Sequence, residues 1–240
     1  MSDLHFYYMD KSSTSRGVWT VLELLELKYT EHYIDLINGE HKTESYAKIN
    51  PRQLVPALID GELHLSESRV IATYLVSKYG TQCGQQQLYP TDVEKRALVD
   101  KHLYIGLDVS DAIGAFVNIH DVMLAGGQTN SKKLTDVEKF LILIESNLTE
   151  SPYVALKHLT LADIFYYIAI QLLTLTNWDY WNKYPNILEW KKKVEAIPCY
   201  KKTLGSPVDD FRIVYQKALE KNQRTSKEEK NECISINANL

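Results

Sequence analysis

The chain has 240 residues, enough for one large domain or two ordinary ones, and its 45% hydrophobic and 24% charged residues exclude a collagenous or low-complexity protein. A net charge of -4 with no basic stripe excludes nucleic acid as an expected partner. No run approaches the ~18 apolar residues of a membrane span, and MSDLHFYYMDKSS has neither a basic region nor an apolar core, so a cytoplasmic protein with no membrane association is expected.

Leu4 to Met9 reads as a strand, followed by the polar stretch Asp10 to Ser15 and then Val18, Trp19, Val21, Leu22, Leu24, Leu25 and Leu27 at helical spacing. Tyr29 to Asp35 alternates and predicts a second strand, parallel to the first through a right-handed crossover. A short helix is expected over Lys42 to Lys48. Val55 to Ile59, the turn dipeptide Asp60-Gly61 and Glu62 to Leu65 then read as a β-hairpin. Pro56 has no amide donor, which restricts it to a strand start or edge. Ser66, Glu67 and Ser68 precede the helical period of Val70, Ile71, Tyr74 and Leu75, so a helix begins where the hairpin ends.

The polar, aperiodic GTQCGQQQLYP reads as a linker, and beyond it the signals are helical. Thr91-Asp92-Val93-Glu94 predicts a capping box opening a long helix toward Leu124, before Gly126-Gly127 breaks the chain. A second box, Thr135 to Glu138, opens a helix through Phe140, Leu141, Leu143, Ile144 and Leu148. A third, Thr160 to Asp163, starts the apolar run Ile164 to Leu175, which predicts a helix buried on most sides. Tyr184-Pro185 precedes a helix over Ile187 to Ile197, and Asp209 to Leu219 offers one more. Lys221 to Leu240 is polar and reads as a flexible tail. Cys83, Cys199 and Cys233 are odd in number and widely spaced, which points to reduced thiols rather than a disulfide framework or a metal site.

Val55-Pro56 opening a strand and Glu67-Ser68 opening a helix resemble the glutathione-binding half of the cytosolic glutathione transferases. The flanking LHFYY, SSTSRG, NGEH, NPRQLVPAL, ESRVIATYLVSKYG and QLYP are most similar to the insect delta and epsilon classes, epsilon being the closer. The resemblance spans Leu4 to about Leu204. It implies an α/β plus all-α fold: a thioredoxin-like mixed sheet with helices over residues 1–80, a linker over 81–90, and a C-terminal helical bundle domain over 91–220 lining a hydrophobic substrate site, with 221–240 as the tail. The Thr-x-x-Asp box at a buried helix start is a hallmark of that fold. The implied activity is conjugation of glutathione, a co-substrate, to hydrophobic electrophiles by a likewise implied homodimer, without a metal.

Such a catalyst must favour the thiolate of a thiol whose free pKa is about 8.5. A hydroxyl donor at a helix N-terminus does so. The resemblance places a serine four residues before an arginine, a spacing kept by Ser12 and Arg16, although the family's two following prolines are absent. Ser12 is the leading candidate, with Ser13 or the tyrosine solution, Tyr7 or Tyr8, as alternatives; the serines also fit a plain helix cap. The resemblance carries the γ-glutamyl end to Glu67 and Ser68, the cysteinyl backbone to Val55 beside Pro56, and the glycyl end to His41 and Gln53, where the family often has histidine. Arg69 is grouped with them, facing solvent or a partner subunit. The expected wall for the second substrate comprises Tyr104, Leu107, Asp108, Asp111, Ala112, Ala115, Phe116 and Phe211, with the two acids able to orient a hydroxylated ligand. A low-turnover ligandin, or a glutathione-dependent step in steroid or pigment metabolism, is the alternative reading.

Overall fold

The structure, a computed structural model, describes residues 4–176, 178–179 and 181–238, with side chains to residue 228. Four strands, β1 (Leu4–Tyr8), β2 (Thr30–Tyr33), β3 (Ala57–Asp60) and β4 (Leu63–Ser66), form one sheet in the order β2-β1-β3-β4. β1 and β2 are parallel, whereas β1–β3 and β3–β4 are antiparallel. Alternation along β1 sends Leu4, Phe6 and Tyr8 into the core, where Leu58 joins them. The helices α1 (Ser13–Leu24) and α3 (Ser68–Tyr79) contribute Val18, Val21, Leu22, Ile71, Ala72 and Leu75 to the same core. On the other face Tyr7 meets Tyr46 of the short helix α2 (Glu44–Ala47), their ring centroids 6.2 Å apart. Α one-turn 3-10 segment, Glu40–Lys42, precedes α2. The hairpin's two-residue loop is Gly61-Glu62, not Asp60-Gly61, because Asp60 pairs with Leu63. Gly61 supplies the positive φ of 61° that the loop needs. Asp60 instead accepts hydrogen bonds from Tyr74, Tyr79 and Lys78 of α3.

The helical part comprises α4 (Val93–Val117), α5 (Ile119–Leu124), α6 (Leu134–Glu150), α7 (Leu161–Gln171), α8 (Pro185–Glu195) and α9 (Ser206–Ala238). Two of the three expected boxes are corrected. α4 is capped by Asp92, whose side chain accepts from the Lys95 amide at 2.9 Å, one residue later than expected. α6 begins at Leu134 behind a 3-10 turn, which puts Thr135 inside its first turn. The long helix also stops early, at Val117, because Asn118 adopts a left-handed conformation with φ 56°. α7 matches expectation: all eleven of its residues are buried, and Asp163 is enclosed at its first turn. Residues 221–240, expected to be a flexible tail, are helical through Ala238. Tyr215, Leu219 and Asn222 pack, and Asn222 Nδ2 donates to the carbonyls of Val122 and Gly127 at 2.8 Å each. From that anchored turn the Lys- and Glu-rich sequence propagates a helix at low cost. Asn239 and Leu240 lie outside the described residues.

The sheet and the helical bundle dock through α1 and α3. Arg16 is 1% exposed and donates from Nη1 to Gln171 Oε1 of α7 at 2.7 Å and to the Leu204 carbonyl at 3.5 Å. A Cβ on Gly17 would stand 2.5 Å from Phe165 Cε1, so only glycine lets α1 approach α7 this closely. Arg69 of α3 was expected to face solvent or a partner. It instead donates from Nη2 to the Gly106 carbonyl of α4 at 3.0 Å and lies over the Phe165 ring at 4.8 Å. An aromatic face and a helix carbonyl satisfy the cation better than its place on α3 alone would indicate. Cys83 and Cys199 are free, and burial pushes the Cys199 thiol up to about 11; the Cys233 side chain lies outside the described residues.

Two stability predictions follow from the bundle core. Asp163 is fully buried and accepts from the Val154 amide, the Thr160 amide and hydroxyl and the Trp190 indole at 2.8–3.0 Å. Asp163→Ala orphans these donors and is expected to cost roughly 3–5 kcal/mol in urea unfolding. His102, 4% exposed and 3.2 Å from the Tyr166 hydroxyl, is held by burial at a pKa of about 4, below its ordinary 6.5. Between those values the unfolded chain takes up a proton that the folded chain refuses, so stability falls as pH falls. From pH 7 to 5 the wild type should lose about 2 kcal/mol more than His102→Leu in paired urea titrations.

Candidate functional site

Strand register decides which residues meet. Tyr7 pairs with Ala57, and Ala57 with Ser66. The segment leaving β1 toward Ser12, the segment Val55-Pro56 entering β3 and the segment Glu67-Ser68 leaving β4 therefore emerge at one end of the sheet. The Val55-Pro56 peptide is cis.

Ser12 is the N-cap of α1: its Oγ accepts from the Ser15 amide at 3.3 Å. It also lies 3.0 Å from Thr14 Oγ1, which donates its own proton to the Val55 carbonyl at 3.2 Å. The Ser12 hydroxyl is consequently the donor toward Thr14. Capping occupies one of its lone pairs and leaves its proton for another acceptor, so a cap and a proton donor are compatible roles at this position. The first turn of α1 adds unpaired amides and the positive end of the helix dipole. Neither tyrosine is placed this way. Tyr8 donates to Glu31 Oε2 at 2.7 Å, and burial, reinforced by that carboxylate, raises its phenol pKa far above the ordinary value. Tyr7 stacks on His32 at 4.3 Å. Ser13 is the first residue of the helix.

Glu67 carries a φ of 67° and ψ of 105°, a conformation that costs a non-glycine residue about 1–3 kcal/mol and persists only where its surroundings enforce it. Its carboxylate forms an ion pair with Arg52. Ser68, 6% exposed, follows as the first residue of α3. Gln53 is also left-handed, with φ 53°, and its Nε2 reaches the Lys42 carbonyl at 3.4 Å, tying the loop before Pro56 to the turn that holds His41. His41 is half-buried, and its Nδ1 is shielded from solvent with no protein partner among the described residues. Ser12, His41, Gln53, Val55, Glu67 and Ser68 are thus linked through Thr14, Lys42 and Arg52. Sequence reading passed over Thr14 and Arg52, since their contacts span 41 and 15 residues and only the strand register exposes them.

The eight residues expected to wall the second site have different surroundings. Tyr104, Leu107, Asp108, Asp111, Ala112 and Ala115 recur at helical spacing and spread over one broad face of α4 at different heights, whereas Phe116 turns to the core and Phe211 belongs to α9. Tyr104 and Leu107 line a groove of about 380 Å³ between α3 and α4, with Glu67, Ser68 and Val70. Ala112 lines another, of about 480 Å³, with Phe140 and Leu143 of α6. Phe116, 8% exposed, packs against Trp178 in the core, and Phe211 packs near Tyr215. Asp108, Asp111 and Ala115 are exposed on the outward side of α4, beside Gly114, where a Cβ would meet open space. Among the described residues no group of three or more His, Cys, Asp or Glu is arranged to hold a metal ion, and no helix is long and apolar enough to cross a membrane.

Residues 6–84 match the family model for the glutathione S-transferase N-terminal domain, and residues 118–206 that for the C-terminal domain. Glutathione S-transferase 1 of Manduca sexta is 33% identical over 210 residues, which cover 85% of this chain and 93% of that protein. The structure of a Drosophila mojavensis glutathione transferase homologue with bound glutathione superimposes with a TM-score of 0.83 at 30% identity, covering 91% of this chain and 98% of that one. An epsilon-class glutathione S-transferase from the housefly Musca domestica gives 0.81 at 28% identity, over 90% and 98% of the two chains. With both halves of the fold, their order and their sequence matched, the chain belongs to the glutathione S-transferase family.

Proposed function

We propose that the protein activates glutathione with the Ser12 hydroxyl and conjugates it to hydrophobic electrophiles in the cytoplasm. The observation that carries this reading is the placement of Ser12: its Oγ accepts from the Ser15 amide at the N-terminus of α1, a cap that does not use its hydroxyl proton. That proton, redirected from Thr14 to the glutathione sulfur, stabilises the thiolate by a charge-assisted hydrogen bond, and the helix amides lower its energy further. Glu67 takes the tripeptide ammonium and Ser68, with the α3 amides, its α-carboxylate, while His41 and Gln53 receive the glycyl end. Once thiolate and electrophile are held together, proximity supplies most of the remaining acceleration.

The electrophile is assigned to the exposed face of α4 that carries Asp108, Asp111 and Ala115. Tyr104 and Leu107 share the α3–α4 groove with Val70, and their exposures of 73%, 42% and 50% mark an apolar strip that suits a second copy of the chain in a homodimer. Tyr104→Glu, placing a charge in that strip, is expected to shift the sedimentation profile from dimer toward monomer. A wild type that sediments as a monomer at micromolar concentration would remove the dimer from the reading.

The chemistry is tested with glutathione and a chloronitroaromatic electrophile at pH 6.5, below the free thiol pKa. Ser12→Ala should lose at least roughly tenfold in kcat, about 1.4 kcal/mol of barrier, and about 1 kcal/mol of stability through the lost cap. Ser12→Asp separates the two effects: a carboxylate restores the cap and the melting temperature, but it repels a thiolate and leaves the rate low. A Ser12→Ala enzyme as fast as wild type rules out the serine mechanism. A wild type that binds glutathione without turnover would favour a ligandin.

A further inference from the structure

We propose that Arg52 recognises the γ-glutamyl end of glutathione, its guanidinium pairing with the tripeptide's α-carboxylate while it stays on Glu67. The inference rests on the glutathione reading above and extends it to a residue outside the set inferred from the sequence.

Arg52 is presented by a braced loop. Its amide donates to Asn50 Oδ1 at 3.1 Å, and Asn50, 2% exposed, donates from Nδ2 to the Leu54 carbonyl at 2.7 Å. Tyr46 donates its hydroxyl to the same carbonyl at 2.8 Å, and the Gln53 amide returns to the Asn50 carbonyl at 2.8 Å. The backbone of Arg52 is therefore fixed, and its side chain crosses to Glu67, the residue immediately before Ser68. Both partners of this ion pair remain accessible, at 61% and 57% exposure.

Charge supplies the rest of the argument. Glutathione carries two carboxylates and one ammonium near neutral pH, a net charge of about -1 with the thiol protonated. Glu67 alone would attract its ammonium and repel the peptide as a whole, and Gln53, Ser68 and Val55 offer no formal charge. Arg69 is spent elsewhere, on the Gly106 carbonyl and the Phe165 ring. Arg52 neutralises Glu67 and retains further N–H donors, whose planar fork suits a carboxylate. A bound γ-glutamyl group then completes a four-charge cluster in which ammonium meets Glu67 and α-carboxylate meets Arg52.

The test is isothermal titration of glutathione and of γ-glutamylcysteine, which lacks the glycyl carboxylate, into wild type, Arg52→Gln, Arg52→Lys, Glu67→Gln and the double variant Arg52→Gln/Glu67→Gln. Arg52→Gln should weaken both peptides by roughly fivefold, the value of one accessible charged contact, and 0.5 M NaCl should shrink the difference. Arg52→Lys should recover part of the loss. In the Glu67→Gln background the loss should persist, since the carboxylate contact is direct. Unchanged or tighter binding overturns the proposal, as does a loss seen with glutathione but not with γ-glutamylcysteine. A loss that vanishes in the Glu67→Gln background also overturns it, because Arg52 then only positions Glu67. A wild type that binds neither peptide defeats the glutathione reading as well, whereas wild-type binding with indifferent Arg52 variants defeats this inference alone.

Discussion

The buried guanidinium of Arg16 is the constraint on which the arrangement depends. It has no carboxylate partner among the described residues; Gln171 and the Leu204 carbonyl hold it, and burial lowers its pKa to about 10. A buried charge compensated only by dipoles is expensive, and it persists only where moving it would cost more. Here it fastens α1 of the sheet unit to α7 and to the π-helical turn Lys201–Gly205 of the bundle. Gly17 permits the close approach, and Thr20 extends the contact by donating to Thr203 Oγ1 at 2.9 Å. Because Ser12 caps α1, four residues earlier, the same fastening sets where the Ser12 hydroxyl stands. The spacing between serine and arginine is thus one helical turn, connecting a surface cap to an interior anchor.

The opposite side of the site is organised by the hairpin. Its short, two-residue loop fixes the β3–β4 register, and the register places Pro56 beside the Ser66–Ser68 segment. Glu67 then turns from strand into helix with a positive φ that glycine would adopt without cost. Retaining a glutamate there sets local stability against a carboxylate that reaches Arg52. The neighbouring Gln53, also left-handed, is the second such residue on this rim, and Asn50 and Tyr46 brace its loop by donating to the Leu54 carbonyl.

What could be read from the sequence was what depends on local pattern. The alternation of β1, the hairpin, the buried run of α7 and the Thr160–Asp163 box all express periodicity or neighbouring polar groups, and each appears in the structure. Cap positions were less legible, because Thr91 and Asp92 are both competent caps and the choice depends on which residue takes the extended conformation. The C-terminal segment misled because its composition is polar. Composition measures what can be buried, while helix propagation needs only one packed turn, here supplied by Tyr215, Leu219 and Asn222. The roles of Arg16, Gly17 and Arg69 at the docking surface were invisible for a different reason: each is defined by a residue on another element, 37 to 188 positions away.

The loop before α1 shows how a missing sequence feature can be replaced by a contact. Two prolines would stiffen it by reducing the conformations open to the unfolded chain. Their absence implied a looser loop, yet Thr14 ties it to the Val55 carbonyl, two residues before β3. The two devices are not equivalent. Proline stiffens the loop without touching anything, whereas the Thr14 hydroxyl acts through the Val55 carbonyl and accepts from Ser12. Rigidity and proton direction therefore share one hydroxyl in this chain, and any movement of the Val55 backbone on ligand binding is transmitted to Ser12 through a single side chain.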